Sequence, residues 1–203
     1  MEPLSLIGVG GYARSGKDTT AKYFIERFGF TRVGFSDELK FEVAQKLRKT
    51  LAVEAKRFYG HQLSGGLATL DEVIHKLLWE DRTELTRALL QEWGTSVRRA
   101  EDPDYWTSRL IKKYLNRHGQ RFVVPDTRFL NELQLIRTWN GFLIWIERPG
   151  IGPESSHPSE TTLGPKVGWD AIIVNDGTKQ DLYAKLDMVV EKHELFERLP
   201  RRV

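Results

Sequence analysis

Cysteine is absent from all 203 residues. That excludes a disulfide framework, a thiolate-ligated zinc and a thiol nucleophile. No apolar run reaches the roughly 20 residues a membrane-spanning helix needs. Residues 1–10 have neither a basic stretch nor a small-residue cleavage pattern, so the expectation is a soluble, cytoplasmic protein with no membrane partner. Charge of one sign is not in excess: 31 Lys and Arg against 28 Asp and Glu leave +3. With no interleaved stripe of basic and aromatic residues, stable nucleic-acid binding is not expected. What is plentiful is apolar. Hydrophobic residues make up 40% and aromatics 11%, enough for a sizeable core in one domain.

The spacing of those apolar residues predicts alternating strands and helices. Residues 4–9 read as a buried strand ending in a Gly-rich turn, and 17–28 as a helix with Ala21, Phe24, Ile25 and Phe28 on one face. Residues 30–35 are a weaker strand candidate, and Ser36 or Asp37 caps a helix running to about residue 51. Residues 60–66 read as a loop. Helices are expected at 85–99, 104–117, 131–139 and from about 179 to 196, with β-rich runs at 121–125, 142–147 and 170–174. Residues 198–203 read as a short basic end. Strands alternating with helices predict an α/β three-layer domain around a mostly parallel sheet.

The sharpest feature is Gly11-Tyr12-Ala13-Arg14-Ser15-Gly16-Lys17-Asp18-Thr19-Thr20, a G-x-x-x-x-G-K pattern between a strand and a helix. Glycines let the backbone curl until successive N–H groups face one point, and a helix N-terminus adds its partial positive charge. Lys17 then reaches the outer phosphates as a mobile point charge. The overlapping Gly8-Val9-Gly10-Gly11-Tyr12-Ala13 also satisfies the dinucleotide fingerprint G-x-G-x-x-A. That reading wants a helix starting near Gly10 and an acidic residue near 28–30, where Phe28-Gly29-Phe30 stands. The phosphate-loop pattern usually has Ser or Thr directly after the lysine to ligate Mg²⁺. Here Asp18 takes that place and Thr19 follows, and either side chain has an oxygen for the metal.

Further blocks follow in order. They are Phe35-Ser36-Asp37-Glu38-Leu39-Lys40, Leu90-Gln91-Glu92-Trp93-Gly94-Thr95 with Arg98, Arg99 and Trp106, and Val124-Pro125-Asp126-Thr127-Arg128-Phe129-Leu130-Asn131-Glu132. Ile146-Glu147-Arg148-Pro149-Gly150, His157-Pro158-Ser159-Glu160 and Asn175-Asp176-Gly177-Thr178 complete the series. In this order the blocks resemble the deoxynucleoside monophosphate kinases of tailed bacteriophages, P-loop enzymes related to the nucleoside monophosphate kinases and to dephospho-coenzyme A kinase. Residues 51–83 are the least similar stretch.

The resemblance implies a single three-layer P-loop kinase domain over residues 1–203, with a helical acceptor-binding region at about 36–120 and a lid at about 148–165. It implies ATP as phosphoryl donor, Mg²⁺, a deoxynucleoside 5′-monophosphate as acceptor, and it allows a homodimer. Lys17, Arg128, Arg148 and Asp37 become the catalytic candidates, Arg148 as an in-chain arginine finger. Gly11, Arg14, Ser15, Gly16, Lys17, Asp18, Thr19, Thr20, Asn175 and Gly177 fall on the donor, and Asp18, Thr19 and Asp126 on the metal. Ser36, Asp37, Lys40, Gln91, Trp93, Gly94, Thr95, Arg99, Trp106, Arg128 and Glu132 fall on the acceptor. Several have a plain alternative: Asp37 with Lys40 as a helix cap and ion pair, Trp93 and Trp106 as core, Asn175-Asp176-Gly177 as an ordinary turn. His157 and Glu160 lack a third ligand for a metal and read as loop-holding residues. The competing functions are another small-molecule P-loop kinase, such as a dephospho-coenzyme A kinase, and a P-loop ATPase that binds nucleic acid.

Overall fold

The computed structural model describes residues 4–115 and 119–196. The strands are β1 (Leu6–Gly10), β2 (Thr31–Arg32), β3 (Phe122–Val124), β4 (Phe142–Glu147) and β5 (Ala171–Val174). The α-helices are α1 (Lys17–Phe28), α2 (Phe35–Lys46), α3 (Arg48–Ser64), α4 (Leu70–Trp79), α5 (Glu84–Gln91), α6 (Tyr105–Leu110), α7 (Leu130–Thr138), α8 (Pro158–Thr161) and α9 (Lys179–Lys192). π-Helical stretches continue α5 at Glu92–Arg99 and α6 at Ile111–Leu115.

All strand pairings are parallel, in the order β2-β3-β1-β4-β5. The chain builds one side of β1 first and the other side afterwards. The strand order therefore reverses at β1, and its carboxyl end is the crevice where open α/β sheets bind ligands. On one face Ile7, Val9, Val123, Ile144, Ile146 and Ile173 pack against Ala21, Tyr23 and Phe24 of α1 and Leu182 and Leu186 of α9. Each such side chain contributes about 1.5–3 kcal/mol by leaving water. On the other face α7 comes so close that a Cβ on Gly8 would lie 2.4 Å from Ile136 Cδ1 and 2.8 Å from Leu143 Cδ2. Three layers result, as the alternating pattern predicts.

Contacts divide the chain into two compact units. One, the sheet unit, joins the residues up to Phe35 to those from Leu110 onward; the other, Ser36–Arg109, is helical. The helical unit has its own core, with Val43, Leu51, Ile74, Leu78 and Leu90 in one cluster and Ala55, Val73 and Leu77 in another. Among the described residues no helix is long and apolar enough to cross a membrane.

The elements differ from expectation where tertiary burial overrides local preference. Strand β2 keeps only Thr31–Arg32 of the expected 30–35, and Phe35 already opens α2. The helix expected to reach residue 51 breaks at Leu47 into α2 and α3. Residues 60–64, expected in a loop, are the last turn of α3, which kinks at Tyr59 (φ −128°) and holds Tyr59 and Leu63 against the Ala55 cluster. On α1, Ile25 is exposed and Tyr23 takes its place in the core, because the buried stripe is set by β1 and α9. The helix expected over 85–99 changes from α to π at Glu92, and α9 ends at Lys192 rather than near 196. The second half of the helix expected at 104–117 is π-helical to Leu115; residues 116–118 and the basic end at 198–203 lie outside the described residues.

Gly8→Ala is expected to destabilise the protein by about 1–3 kcal/mol, the cost of overpacking a filled core. The midpoint of urea unfolding reads the loss.

Candidate active site

The loop between β1 and α1 turns on three residues in left-handed conformations. Gly11 has φ +146°, Arg14 +62° and Gly16 +116°. A Cβ on Gly11 would lie 2.5 Å from the Ile146 carbonyl oxygen, and one on Gly16 2.6 Å from Asn175 Nδ2. Only glycine lets β4 and the turn after β5 approach this closely. Arg14 carries a side chain in the same region of backbone space, a strain that favours functional loops. Helix α1 begins at Lys17 with Gly16 as N-cap, so its first amides point into the loop. Gly8 and Gly10 serve packing instead: a Cβ on Gly10 would meet Trp169 at 2.3 Å. With the helix starting seven residues beyond Gly10, the dinucleotide reading falls and the phosphate loop stands.

Lys17 is 8% exposed, and its Nζ donates to the Tyr12 carbonyl at 2.6 Å. Burial, followed by the positive charge of Arg128, lowers its pKa from 10.5 to about 8, against the opposing pull of Asp18, Glu160 and Asp126. Asn175 follows β5. Its Nδ2 donates to the Ser15 carbonyl at 2.8 Å, pinning the loop to the sheet. The cleft beside the loop, about 420 Å³, is lined by Arg14, Gly16, Lys17, Asp18, Thr19, Arg148, Asn175 and Gly177, with Thr178, Lys179 and Leu182 of the α9 end. Residues expected at one site from three distant stretches of sequence thus share one wall. Thr20 does not: it is fully buried, and its hydroxyl donates to Gly16 O at 3.1 Å, which corrects its expected place on the donor.

A second group of charges stands at the end of β3. Asp126 is buried and accepts from the Phe35 amide at 3.2 Å. Arg128 pairs with Glu160 and donates to the Ser159 carbonyl at 3.3 Å. Glu132 was expected on the acceptor, but it is 1% exposed, and its Oε2 accepts from the amides of Arg128 (2.7 Å) and Phe129 (3.1 Å). It caps α7 and fixes the backbone of Arg128. Arg14 likewise pairs with Glu154, at 2.7 Å.

Within the helical unit Lys40 is buried, pairs with Asp37 at 3.3 Å and lies over the Trp79 ring at 5.3 Å. Sequence reasoning missed Glu42. Its buried carboxylate accepts from Trp93 Nε1 (2.9 Å), Arg98 Nε (2.5 Å) and the Tyr105 hydroxyl (2.6 Å), and pairs with Arg109 at 3.3 Å. Burial would raise the Glu42 carboxyl, but these hydrogen bonds outweigh it and hold the pKa below the usual glutamate value. The available signal was an acid between apolar residues, Phe41-Glu42-Val43, on a helix that needs a buried face. Trp93 therefore has its polar edge committed to Glu42. Trp106 is buried with Nε1 donating to Gly94 O at 3.0 Å, so it packs and does not stack on a ligand. Gly94 is buried against Leu39, where a Cβ would lie 2.9 Å from Cδ2. Arg99 donates to the Pro103 carbonyl at 3.4 Å, while Ser36, Gln91 and Thr95 are half-buried.

The donor set fits a nucleotide-borne Mg²⁺, which takes one or two protein oxygens and the rest from phosphates and water. Asp18 and Thr19 line the cleft and Asp126 stands at the end of β3. Among the described residues no three His, Asp or Glu side chains converge as a resident metal centre would require. Ser15 Oγ is buried in the loop without a protein partner, a state that suits a loop that closes on phosphate oxygens.

Comparison with known proteins agrees with this geometry. The family model described as deoxynucleotide monophosphate kinase matches residues 42–186. A protein of Acanthamoeba polyphaga mimivirus, provisionally named as the same kinase, is 31% identical over 92% of this chain and 96% of its own. The deoxynucleotide monophosphate kinase of Escherichia phage RB69 is 25% identical over 92% of this chain and 100% of its own. That of Enterobacteria phage T4 is 30% identical over 58% of this chain and 48% of its own. Among solved structures, dephospho-CoA kinase from Campylobacter jejuni aligns over 93% of this chain and 96% of that one at 16% identity and a TM-score of 0.43, which carries no argument on substrate.

Asn175→Ala leaves the Ser15 carbonyl without its donor. The expected cost is about 1–3 kcal/mol in urea unfolding, with weaker binding of inorganic pyrophosphate by calorimetry.

Proposed function

The chain belongs to the deoxynucleotide monophosphate kinase family, and we propose that it moves the γ-phosphoryl group of ATP to a deoxynucleoside 5′-monophosphate, giving ADP and the diphosphate. One observation carries the reading. A phosphate loop, its lysine, a second arginine and the turn after β5 line a single cleft at the switch point of a parallel sheet.

Phosphoryl transfer demands positioning and charge neutralisation more than covalent chemistry. The loop amides and Lys17 hold the donor's β- and γ-phosphates. Arg14 lies over the same phosphates, and Gly177 gives the adenine a surface without a side chain. Arg148 enters the cleft as the arginine finger, a role worth on the order of 10³–10⁵ in rate in other phosphoryl-transfer enzymes. Asp18 or Thr19 with Asp126 would hold Mg²⁺, which would supply neutralisation of the phosphate charge. Arg128 takes the acceptor phosphate. Residues 148–165 act as a lid that keeps water from the γ-phosphoryl group. The helical unit carries the remaining acceptor candidates: Ser36, Asp37 and Lys40, with Gln91, Trp93, Thr95 and Arg99 for its nucleoside. Gly94 and Trp106 shape that wall from behind.

The test mixes the protein with Mg²⁺-ATP and each of the four deoxynucleoside monophosphates and records ADP. ADP that depends on the acceptor is expected, with Lys17→Ala reducing it about 10²–10³-fold, the scale of lost transition-state charge stabilisation. ADP at one slow rate in every tube would instead identify an ATPase. A pH profile offers an independent check. Lys17 binds phosphate as the ammonium, and in the free enzyme its pKa is lowered to about 8. The kcat/KM for ATP is therefore expected to fall as pH rises through about 8, one proton being lost, while kcat at saturation holds because bound phosphate keeps the proton on. A flat kcat/KM to pH 9.5 would contradict this role.

A further inference from the structure

The motif His157-Pro158-Ser159-Glu160 lies in the proposed lid, and none of its side chains has a role of its own in the proposed reaction. The His157 ring accepts from the Ser159 amide at 3.2 Å and caps α8. Pro158 takes the first helical position, which needs no amide donor. The result sets Glu160, two residues on, against the Arg128 guanidinium. Arg128 is held from two further directions, by the Ser159 carbonyl on its side chain and by Glu132 on its backbone amide.

Arg128 is close enough to Lys17 for its charge to weaken the lysine's hold on its proton, and Lys17 is buried. Two cations brought together out of water need an anion. Glu160 supplies it to Arg128, its side chain 10% exposed and that of Arg128 32%, while Asp18 and Asp126 act with it on Lys17. A carboxylate and a phosphate present a guanidinium with the same pair of acceptor oxygens.

We infer that Glu160 is a positioning residue that holds Arg128 in place of the acceptor's phosphate and gives way when that phosphate arrives. The inference rests on the kinase reading, in which Arg128 meets the acceptor. Because phosphate must displace the carboxylate, Glu160 lowers affinity for any anion too weak to compete. The exchange also frees α8 from Arg128, so lid contact and acceptor occupancy become linked.

The test is a calorimetric titration with the deoxynucleoside monophosphate that the wild-type protein turns over fastest. Wild type, Glu160→Gln, Arg128→Ala and the double variant are compared. Glu160→Gln keeps the shape and removes the charge. It is expected to bind the monophosphate at least threefold more tightly, with the gain absent in the Arg128→Ala background. In steady-state assays the same gain lowers KM for the monophosphate and not for ATP. Equal or weaker binding by folded Glu160→Gln, where Arg128→Ala alone weakens binding, overturns the role of Glu160 and leaves the kinase reading intact. Unchanged binding in Arg128→Ala removes Arg128 from the acceptor, and the inference falls with it. Should Glu160→Gln fail to fold, Glu160→Asp withdraws the charge by one methylene and is expected to tighten binding in the same direction, by less. Equal or weaker binding in that variant overturns the inference too.

Discussion

At the carboxyl end of β1 two glycines meet a backbone carbonyl and a side-chain amide at distances that leave no room for a Cβ. The Ile146 carbonyl at the end of β4 sits against Gly11, and the Asn175 amide after β5 sits against Gly16. From this contact the rest of the sheet unit's chemistry follows. The loop curls because both glycines lie in left-handed regions of backbone space. Asn175 reaches the Ser15 carbonyl because Gly16 has no Cβ in its way. Arg148 and Gly177, carried on the ends of β4 and β5, then arrive at the wall of the cleft that the loop forms. A hydrophobic core of strands and two helices supplies the stability, but the close contacts at Gly11 and Gly16 decide where the chemistry stands.

The two units use charge in opposite ways. In the sheet unit Arg14, Lys17, Arg148 and Lys179 line the cleft with Asp18, while Arg128 at the end of β3 pairs with Glu160, and burial lowers the lysine's hold on its proton. In the proposed reaction such a cleft would meet the charge of phosphate with donors already fixed in place. In the helical unit a single anion, Glu42, gathers an indole, a phenol and two guanidiniums. There the charge satisfies itself, and its work is to fix the π-helical stretch and α6 to α2.

What could be read from the amino acids alone follows the same division. The phosphate loop was legible because its physics demands named residues at fixed spacing, and α1 begins at Lys17 as that spacing requires. Strand β4 runs over 142–147 as its apolar run predicts. The parallel sheet was legible from alternation. The π-helix at Glu92–Arg99 was not, because α and π turns share their local preferences and differ only in which carbonyl accepts. Nor was the end of α3. Gly60 and Gly65-Gly66 suggest a loop, whereas Leu63, packed against the Ala55 cluster, keeps the helix going to Ser64. Thr20 and Glu132 sit inside matching motifs yet face inward, which motif membership does not reveal. Glu42 and Glu160 act across 51 and 32 residues of chain, and separations of that kind leave no periodic trace.

The Glu42 hub ties together the responses of the side chains around it. Trp93, Arg98, Tyr105 and Arg109 converge on one carboxylate and also on each other, Arg98 lying over both aromatic rings and Arg109 over that of Tyr105. The effect of replacing any one depends on which of the others remain, because the loss of a donor is felt through a shared acceptor. The five positions therefore form one energetically coupled unit. Replacing Glu42 by an apolar residue would leave two guanidiniums, an indole and a phenol without their common acceptor at one stroke.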